Sequence, residues 1–313
     1  MKFIVEKEEL FRGINIVQKA IPTRAVMPIL KGILLIAEEN SLKLVANDMQ
    51  IGIETQLSAR VIEPGNIVVD SKVFGDIIRK IKDETVEITV NEKQIVNIKC
   101  NDLEMKIKGF DGEEFPELPL VREDDFIVIP ENILSKMIRQ TVFAVSKTEA
   151  LSIITGELIE IDNSSITMVA TDMYRVAIRK HSFESMTTKP IKAIIPGNSL
   201  MEIHKLLLDD GNREIRLALG DKHALFVIGR TKLVTRLLNG EYLNYKSTIP
   251  TEFSTSIRLK VSDLLYALEI ASVFAQDKLV RINITDHKLR VSSDTEVGNI
   301  VKEVDIDLDG EDL

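Results

Sequence analysis

The chain has 313 residues, 44% of them hydrophobic and 28% charged, with 15 glycines and 9 prolines. Such a composition excludes a disordered or fibrous protein, and the length predicts about two to three domains. A formal charge of −9 counts, taken alone, against a nucleic-acid partner, and no apolar run is long enough to span a bilayer.

The opening MKFIVEKEEL is charged and alternating, without a signal-like apolar core, so a cytoplasmic location is expected. A short alternating strand then runs into an amphipathic helix, predicted over 7–21. The same unit recurs with helices over 72–82, 131–147, 198–209 and 260–274. Measured at the last strand residue of each copy (Val5, Val69, Ile129, Ile195, Leu259), the gaps are 64, 60, 66 and 64. Strands of period two, such as Val86, Ile88 and Val90, fill the intervals. A coarser repeat overlies this one: 45–49 (VANDM), 169–173 (VATDM) and 291–295 (VSSDT) place Asp48, Asp172 and Asp294 at spacings of 124 and 122.

The fold class expected is therefore α+β, with a domain repeated three times and two helix-plus-sheet units per domain. The domains are predicted at 1–121, 126–249 and 254–313, with linkers at 109–116 and 238–245 and exposed connections at 122–125 and 251–255. Five units are present, and a sixth is expected to begin near about residue 320, so the third domain reads as truncated to its first half.

Leu10, Ile14, Val17 and Ile21 share one face of the first helix, opposite Arg12 and Lys19. In the second, Val73, Phe74, Ile77 and Ile81 oppose Lys72, Arg79, Lys80 and Lys82; in the third, Ile133, Met137, Ile138 and Ala144 oppose Lys136, Arg139 and Lys147. These helices carry +1, +3 and +2, which leaves −15 for the rest of the chain. One basic face is ordinarily a solvated surface. Three at equivalent places in an acidic protein point to sequence-independent contact with DNA phosphates. The fourth helix breaks the pattern with Glu202 and Asp209 against Lys205. The fifth is apolar nearly all round, which predicts burial on more than one side, in a deep core or at a subunit interface.

Catalytic chemistry is not evident. Glycine-rich phosphate cradles are absent, the four histidines have no metal-ligand spacing, and Cys100 sits in a strand alternation as a small core residue. The three aspartates read as turn formers rather than catalytic carboxylates. The turn at 171–176 is the richest, bringing Met173, Tyr174 and Arg175 together in a composition favoured at protein interfaces.

With Met1-Lys2-Phe3, Arg24 followed by Pro28-Ile29-Leu30, Glu63-Pro64-Gly65, Phe115-Pro116 and Ala170-Thr171-Asp172 followed by Arg175, the chain resembles the beta subunits of bacterial DNA polymerase III, the sliding clamps. The resemblance implies a non-enzymatic, cofactor-free head-to-tail homodimer. Helices would line a central hole holding double-stranded DNA, and sheets would lie outside. It adds Arg24 to the DNA-facing set. It implies a pocket for short peptides of the polymerase III alpha subunit, the clamp loader, other polymerases and repair proteins, at Ile154, Thr171, Met173, Tyr174, Arg175, Val176, Leu243 and Leu279. Many clamps carry proline where Leu243 stands and arginine where Ser247 stands, so an altered peptide preference is expected. Leu103, Met105 and Ile107 would meet Val273 and Phe274 across the dimer interface, with Lys72 facing Glu303 and Asp305. The competing readings are a DNA-binding protein without topological linkage and a small-molecule carrier on a repeated α+β scaffold.

Overall fold

The structure, a computed structural model, describes residues 1–122, 126–183, 190–275, 279–296 and 298–311. Of the connection at 122–125, only Arg122 is therefore among the described residues. The chain divides into two compact units, Met1–Leu243 and Asn244–Leu313.

In the first unit, β1 (Lys2–Glu6) leads into α1 (Lys7–Val17), followed by β2 (Gly32–Glu38), β3 (Ser41–Asn47) and β4 (Ile51–Glu63). Next, β5 (Gly65–Asp70) leads into α2 (Ser71–Lys80), then β6 (Thr85–Val90), β7 (Ile95–Cys100) and β8 (Leu103–Lys108). The plan repeats with β9 (Ile127–Pro130), α3 (Glu131–Thr141), β10 (Gly156–Ile161), β11 (Ser165–Thr171) and β12 (Val176–Ser182). It continues through β13 (Ile191–Pro196), α4 (Gly197–His204), β14 (Glu214–Leu219), β15 (His223–Ile228) and β16 (Thr231–Arg236).

The helices are shorter than their periodicity predicts. After Val17 the chain tightens into a 3-10 turn (Gln18–Ala20), and Ile21 is extended, as expected for a residue preceding proline. α3 stops at Thr141, whose hydroxyl donates to the Met137 carbonyl at 2.7 Å. α4 ends at His204. The α2 face is also rotated from the expected one. Ser71, Phe74, Gly75 and Ile78 are buried while Val73 is exposed, because bare Gly75 lets α2 press on Ile14 and Gln18 of α1. The Gln18 amide donates to the Ser71 carbonyl at 2.9 Å, and Asp70 caps α2 through the Val73 N–H at 2.8 Å.

Twelve strands form one sheet, ordered β8-β7-β6-β1-β4-β16-β15-β14-β9, with β2, β3 and β5 attached beside β4. A second sheet runs β12-β11-β10-β13. The long strand β4 joins the two repeats. Its end pairs with β1, while its start pairs with both β3 and β16. Across that seam Thr231 faces Thr55, Lys232 faces Glu54, Leu233 faces Ile53, Val234 faces Gly52 and Thr235 faces Ile51. The buried hydroxyls of Thr55 and Thr231 meet at 2.9 Å. One continuous core, from Phe3 to Leu237, lies between sheets and helices, which is why two repeats form one compact unit.

The second unit holds β17 (Thr255–Arg258), α5 (Val261–Phe274), β18 (Arg281–Thr285), β19 (Lys288–Thr295), β20 (Gly298–Asp305) and β21 (Asp307–Gly310). Its sheets are β17-β21 and β18-β19-β20. Ala267, Ala271, Leu289, Val291, Val304 and Ile306 form its core. The expected burial of α5 on several sides is not found in the single chain. Only Ala267 and Ala271 are buried, while Val261 is 82% and Val273 75% exposed.

The third aspartate also differs from expectation. Leu289 and Val291 point into the core as Leu42 and Leu44 do in β3. Asp294 pairs with Asn299 within the hairpin, as Asn47 pairs with Gly52. Asp294 is therefore the counterpart of Asn47, and Thr295 takes the place of the turn aspartate. An aligned letter had hidden a one-residue offset that the burial phase exposes.

Candidate nucleic-acid, partner and subunit surfaces

Each repeat of the first unit sets two helices side by side, α1 with α2 and α3 with α4. Arg12, Lys72, Arg79, Lys80, Lys82, Lys136, Arg139 and Lys147 are exposed, as is Arg24 on the loop before the Pro28–Lys31 turn, and Lys19 is half-buried. Their charges are not equally available. Arg79 is bound to Asp76 at 2.7 Å and Arg139 lies 3.8 Å from Asp209. α4 contributes little free positive charge, since Lys205 is held by Glu202 at 2.7 Å.

The turn between β11 and β12 is built by its own side chains. Asp172 accepts the Tyr174 and Arg175 N–H groups at 3.1 Å each and the Arg175 Nε at 3.0 Å. Thr171 donates to the Arg175 carbonyl at 2.8 Å and accepts the Met173 N–H at 3.1 Å. Met173 takes φ 77°, a left-handed conformation that these bonds sustain. Burial pushes the Asp172 carboxyl up, but the Tyr174 N–H, the Arg175 side chain and the Arg175 N–H outweigh it and leave it below the usual carboxylate value. Asp48 repeats the design, accepting from Gln50 and Ile51 at 2.8 and 2.7 Å, with Met49 at φ 73°.

The backbone anchors the first copy, where the Arg236 N–H donates to the Gln50 carbonyl at 2.9 Å, and a side chain anchors the second. Arg175 donates to the Phe143 carbonyl at 3.2 Å and lies over the Phe143 ring, 5.4 Å from its centre. Tyr174 is consequently presented 97% exposed, with Met173 exposed beside it. Val176 and Leu243 are also exposed, whereas Ile154 and Thr171 are buried. Thr171 supports the turn rather than offering surface. Leu279 belongs to the second unit, where it is exposed and its carbonyl accepts from Ser293 at 3.2 Å.

Sequence reasoning missed Phe143 and two residues below the turn. Tyr242 reaches the Gly156 carbonyl at 3.4 Å, and Glu157 is fully buried. The available signal was the repeat itself, which sets Glu157 at the position of Ile33.

Of the expected dimer residues, Leu103, Met105 and Ile107 lie on β8, and Val273 and Phe274 end α5. β8 is an edge strand, and β20 ends the β18-β19-β20 sheet. Leu103 is exposed and Met105 and Ile107 half-buried. A cleft of about 310 Å³ beside β8 is lined by Val73, Asp76, Ile77, Lys80, Ile81, Leu103 and Met105. In the second unit Val273 is exposed, and Phe274 is half-buried against Gly298. Glu303, expected to meet Lys72, already pairs with Lys288 at 3.1 Å.

Among the described residues, no group of three or more His, Cys, Asp or Glu side chains could hold a metal ion. Cys100 is buried in β7. A cleft of about 550 Å³ lies between the 112–121 segment and the sheet seam, with Lys43, Glu54 and Lys232 in its lining. No helix of the described residues is long and apolar enough to cross a membrane.

Residues 1–119 match the family model for the DNA polymerase III beta subunit, N-terminal domain, and residues 128–244 match that for its central domain. The beta sliding clamp of Bacillus subtilis (strain 168) is 31% identical over 327 residues, covering 100% of this chain and 86% of the relative. That of Halalkalibacterium halodurans is 32% identical with the same coverage. A crystal structure of a putative DNA polymerase III beta subunit from Eubacterium rectale superposes with a TM-score of 0.96 at 32% identity, and the Bacillus subtilis clamp with 0.95 at 31%. Each covers 100% of this chain, which spans 86% of theirs. The chain belongs to the DNA polymerase III beta subunit family, the bacterial sliding clamps.

Proposed function

We propose that this chain is a non-catalytic, cytoplasmic DNA sliding clamp. Copies join head to tail into a homodimeric ring that encircles duplex DNA and tethers the replicative polymerase. The domains are 1–121, 126–249 and 254–313, the helix pairs face the hole, and the sheets face outward. Arg12, Lys19, Arg24, Lys72, Lys80, Lys82, Lys136 and Lys147 meet phosphates, together with Arg79 and Arg139 once released from their carboxylates. Such contacts are weak, salt-sensitive and blind to sequence, as sliding requires. The Asp172 turn, with Met173, Tyr174, Arg175, Val176 and Leu243, receives peptides from the polymerase alpha subunit, the clamp loader and repair proteins.

The seam between β4 and β16 is the observation that carries the ring. β8 is the counterpart of β16 in the first repeat, and β20 is the counterpart of β4 in the second unit. Both are free edges, and free edges of this kind are templates for pairing with another chain. Transferring the seam's register sets Met105 opposite Ile300 of a second copy and Leu103 opposite its Lys302. Val273 and Phe274 then close over the cleft beside β8.

Two measurements test this reading. Loaded onto nicked circular DNA by a clamp loader with ATP, the protein should stay bound at high salt and be lost once a restriction enzyme linearises the circle. Retention that ignores the cut would mean ordinary electrostatic binding. Cysteines at positions 105 and 300 should crosslink two copies under oxidation, and cysteines one residue out of register should not.

A further inference from the structure

Glu157 is a fully buried carboxyl on β10. Neither of its oxygens has a hydrogen-bond partner among the described residues. The hydroxyl nearest to it, that of Thr141, already donates to the Met137 carbonyl at 2.7 Å. Tyr242 lies on another side, its hydroxyl reaching the Gly156 carbonyl at 3.4 Å and the backbone of Thr171, within range of the Glu157 charge. Thr141, Glu157, Thr171 and Tyr242 thus make a polar cluster, its first three members buried and Tyr242 half-buried.

Each member adjoins part of the peptide site. Thr171 ties Met173 to Arg175, and Tyr242 immediately precedes Leu243. Thr141 opens the turn whose Phe143 holds Arg175, and Glu157 follows the buried Ile154 by three residues. The first repeat has no such cluster. Ile33 pairs with Val69 as Glu157 pairs with Ile195, and Val17 ends α1 as Thr141 ends α3.

Resting on the peptide-site reading above, we propose that Glu157 is a positioning residue of that site: as the neutral acid it lets the cluster close beneath the Asp172 turn, and its ionisation loosens the turn and weakens peptide capture. Burial pushes this carboxyl from an ordinary 4.5 to about 8, opposed only by the Thr141 hydroxyl. Among the described residues no cation faces the group to neutralise it. On α3, Glu131 pairs with Arg213, Arg139 lies beside Asp209, and Lys136 is exposed. On α4, Glu202 pairs with Lys205, and His204 lies 4.0 Å from Asp209. Lys192 of β13 is held by Glu160 at 2.6 Å. Arg175 is held by Asp172, and Glu241 is exposed. Tyr242, itself pushed up to about 12 by burial and then by Glu157, stays neutral throughout the range in which Glu157 ionises.

The probe is a fluorescein-labelled synthetic peptide copying the clamp-binding segment of a bacterial polymerase III alpha subunit. Its anisotropy is titrated with the full chain from about pH 6.5 to about pH 9.5, with circular dichroism confirming the fold at each pH. The wild-type Kd should rise about tenfold across that range, while Glu157→Gln holds the low-pH affinity throughout. Glu157→Ile, the first repeat's own residue, serves as the second variant and should be equally flat. Parallel rises in wild type and both variants would overturn the role of Glu157 and leave the peptide site standing. Absence of binding by all three proteins at every pH would instead overturn the peptide-site reading, and this proposal with it.

Discussion

Ile33 on β2 and Glu157 on β10 each follow a glycine that opens the strand, and each is fully inaccessible. Around Ile33 the first repeat is apolar; around Glu157 the second supplies a threonine hydroxyl and a tyrosine. Position in the fold therefore does not decide what a site can bury, and its neighbours do. The helix starts differ in the same way. Lys7 opens α1 half-exposed, whereas Glu131 opens α3 fully buried, clasped by Arg213 through Nε at 2.9 Å and through a second, shorter contact.

The largest effect should come from transplanting the second repeat's acid into the first. Ile33→Glu places a carboxyl with no polar neighbours in a packed core and should cost about 5 kcal/mol at neutral pH, read from the urea midpoint. Arg213→Ala should cost about 3–5 kcal/mol, because it removes the only cation paired with the buried Glu131 among the described residues and leaves that charge to two backbone N–H groups. The Arg213 side chain, foremost, holds the Glu131 carboxyl below its ordinary 4.5. The pair's contribution is thus in place above that value and fades as pH falls below it, so variant and wild type should converge in acid.

Glu157 behaves oppositely. Its folded value lies above its unfolded one, so wild-type stability should fall as pH rises from about 4.5 to about 8 and then level off. Glu157→Gln should remove that slope, a difference on the order of 4 kcal/mol between the two ends of the window. Smallest is the pair of turn variants. Asp172→Ala and Asp48→Ala each remove two backbone hydrogen bonds, worth about 1–2 kcal/mol. Only Asp172→Ala also releases Arg175 from its carboxylate partner, so it alone should weaken peptide capture.

Much of this was legible beforehand because it rests on period. The strand-to-helix units recur at fixed intervals, and each of the five produced a helix at its expected place. Helix ends were less visible, since α1 stops ahead of Pro22 and α3 stops where a threonine hydroxyl turns back on its own helix. The offset at Asp294 escaped because identical letters can align while inward and outward faces do not. The cation positions were readable from the helical wheel, but the pairing of Arg79 with Asp76 and of Arg139 with Asp209 was not. The support beneath the Asp172 turn was the least accessible, since Phe143, Glu157 and Tyr242 come from three distant segments that only the fold brings together.

The strand β4 has a mechanical consequence. Force applied along the strands at its junction with β16 loads all five cross-strand pairs in shear at once, and the two repeats also remain covalently linked. A β8-to-β20 contact between copies would share the ladder geometry without that covalent link. Under strain a ring closed that way would have a built-in weakest joint between subunits, with each first unit staying whole.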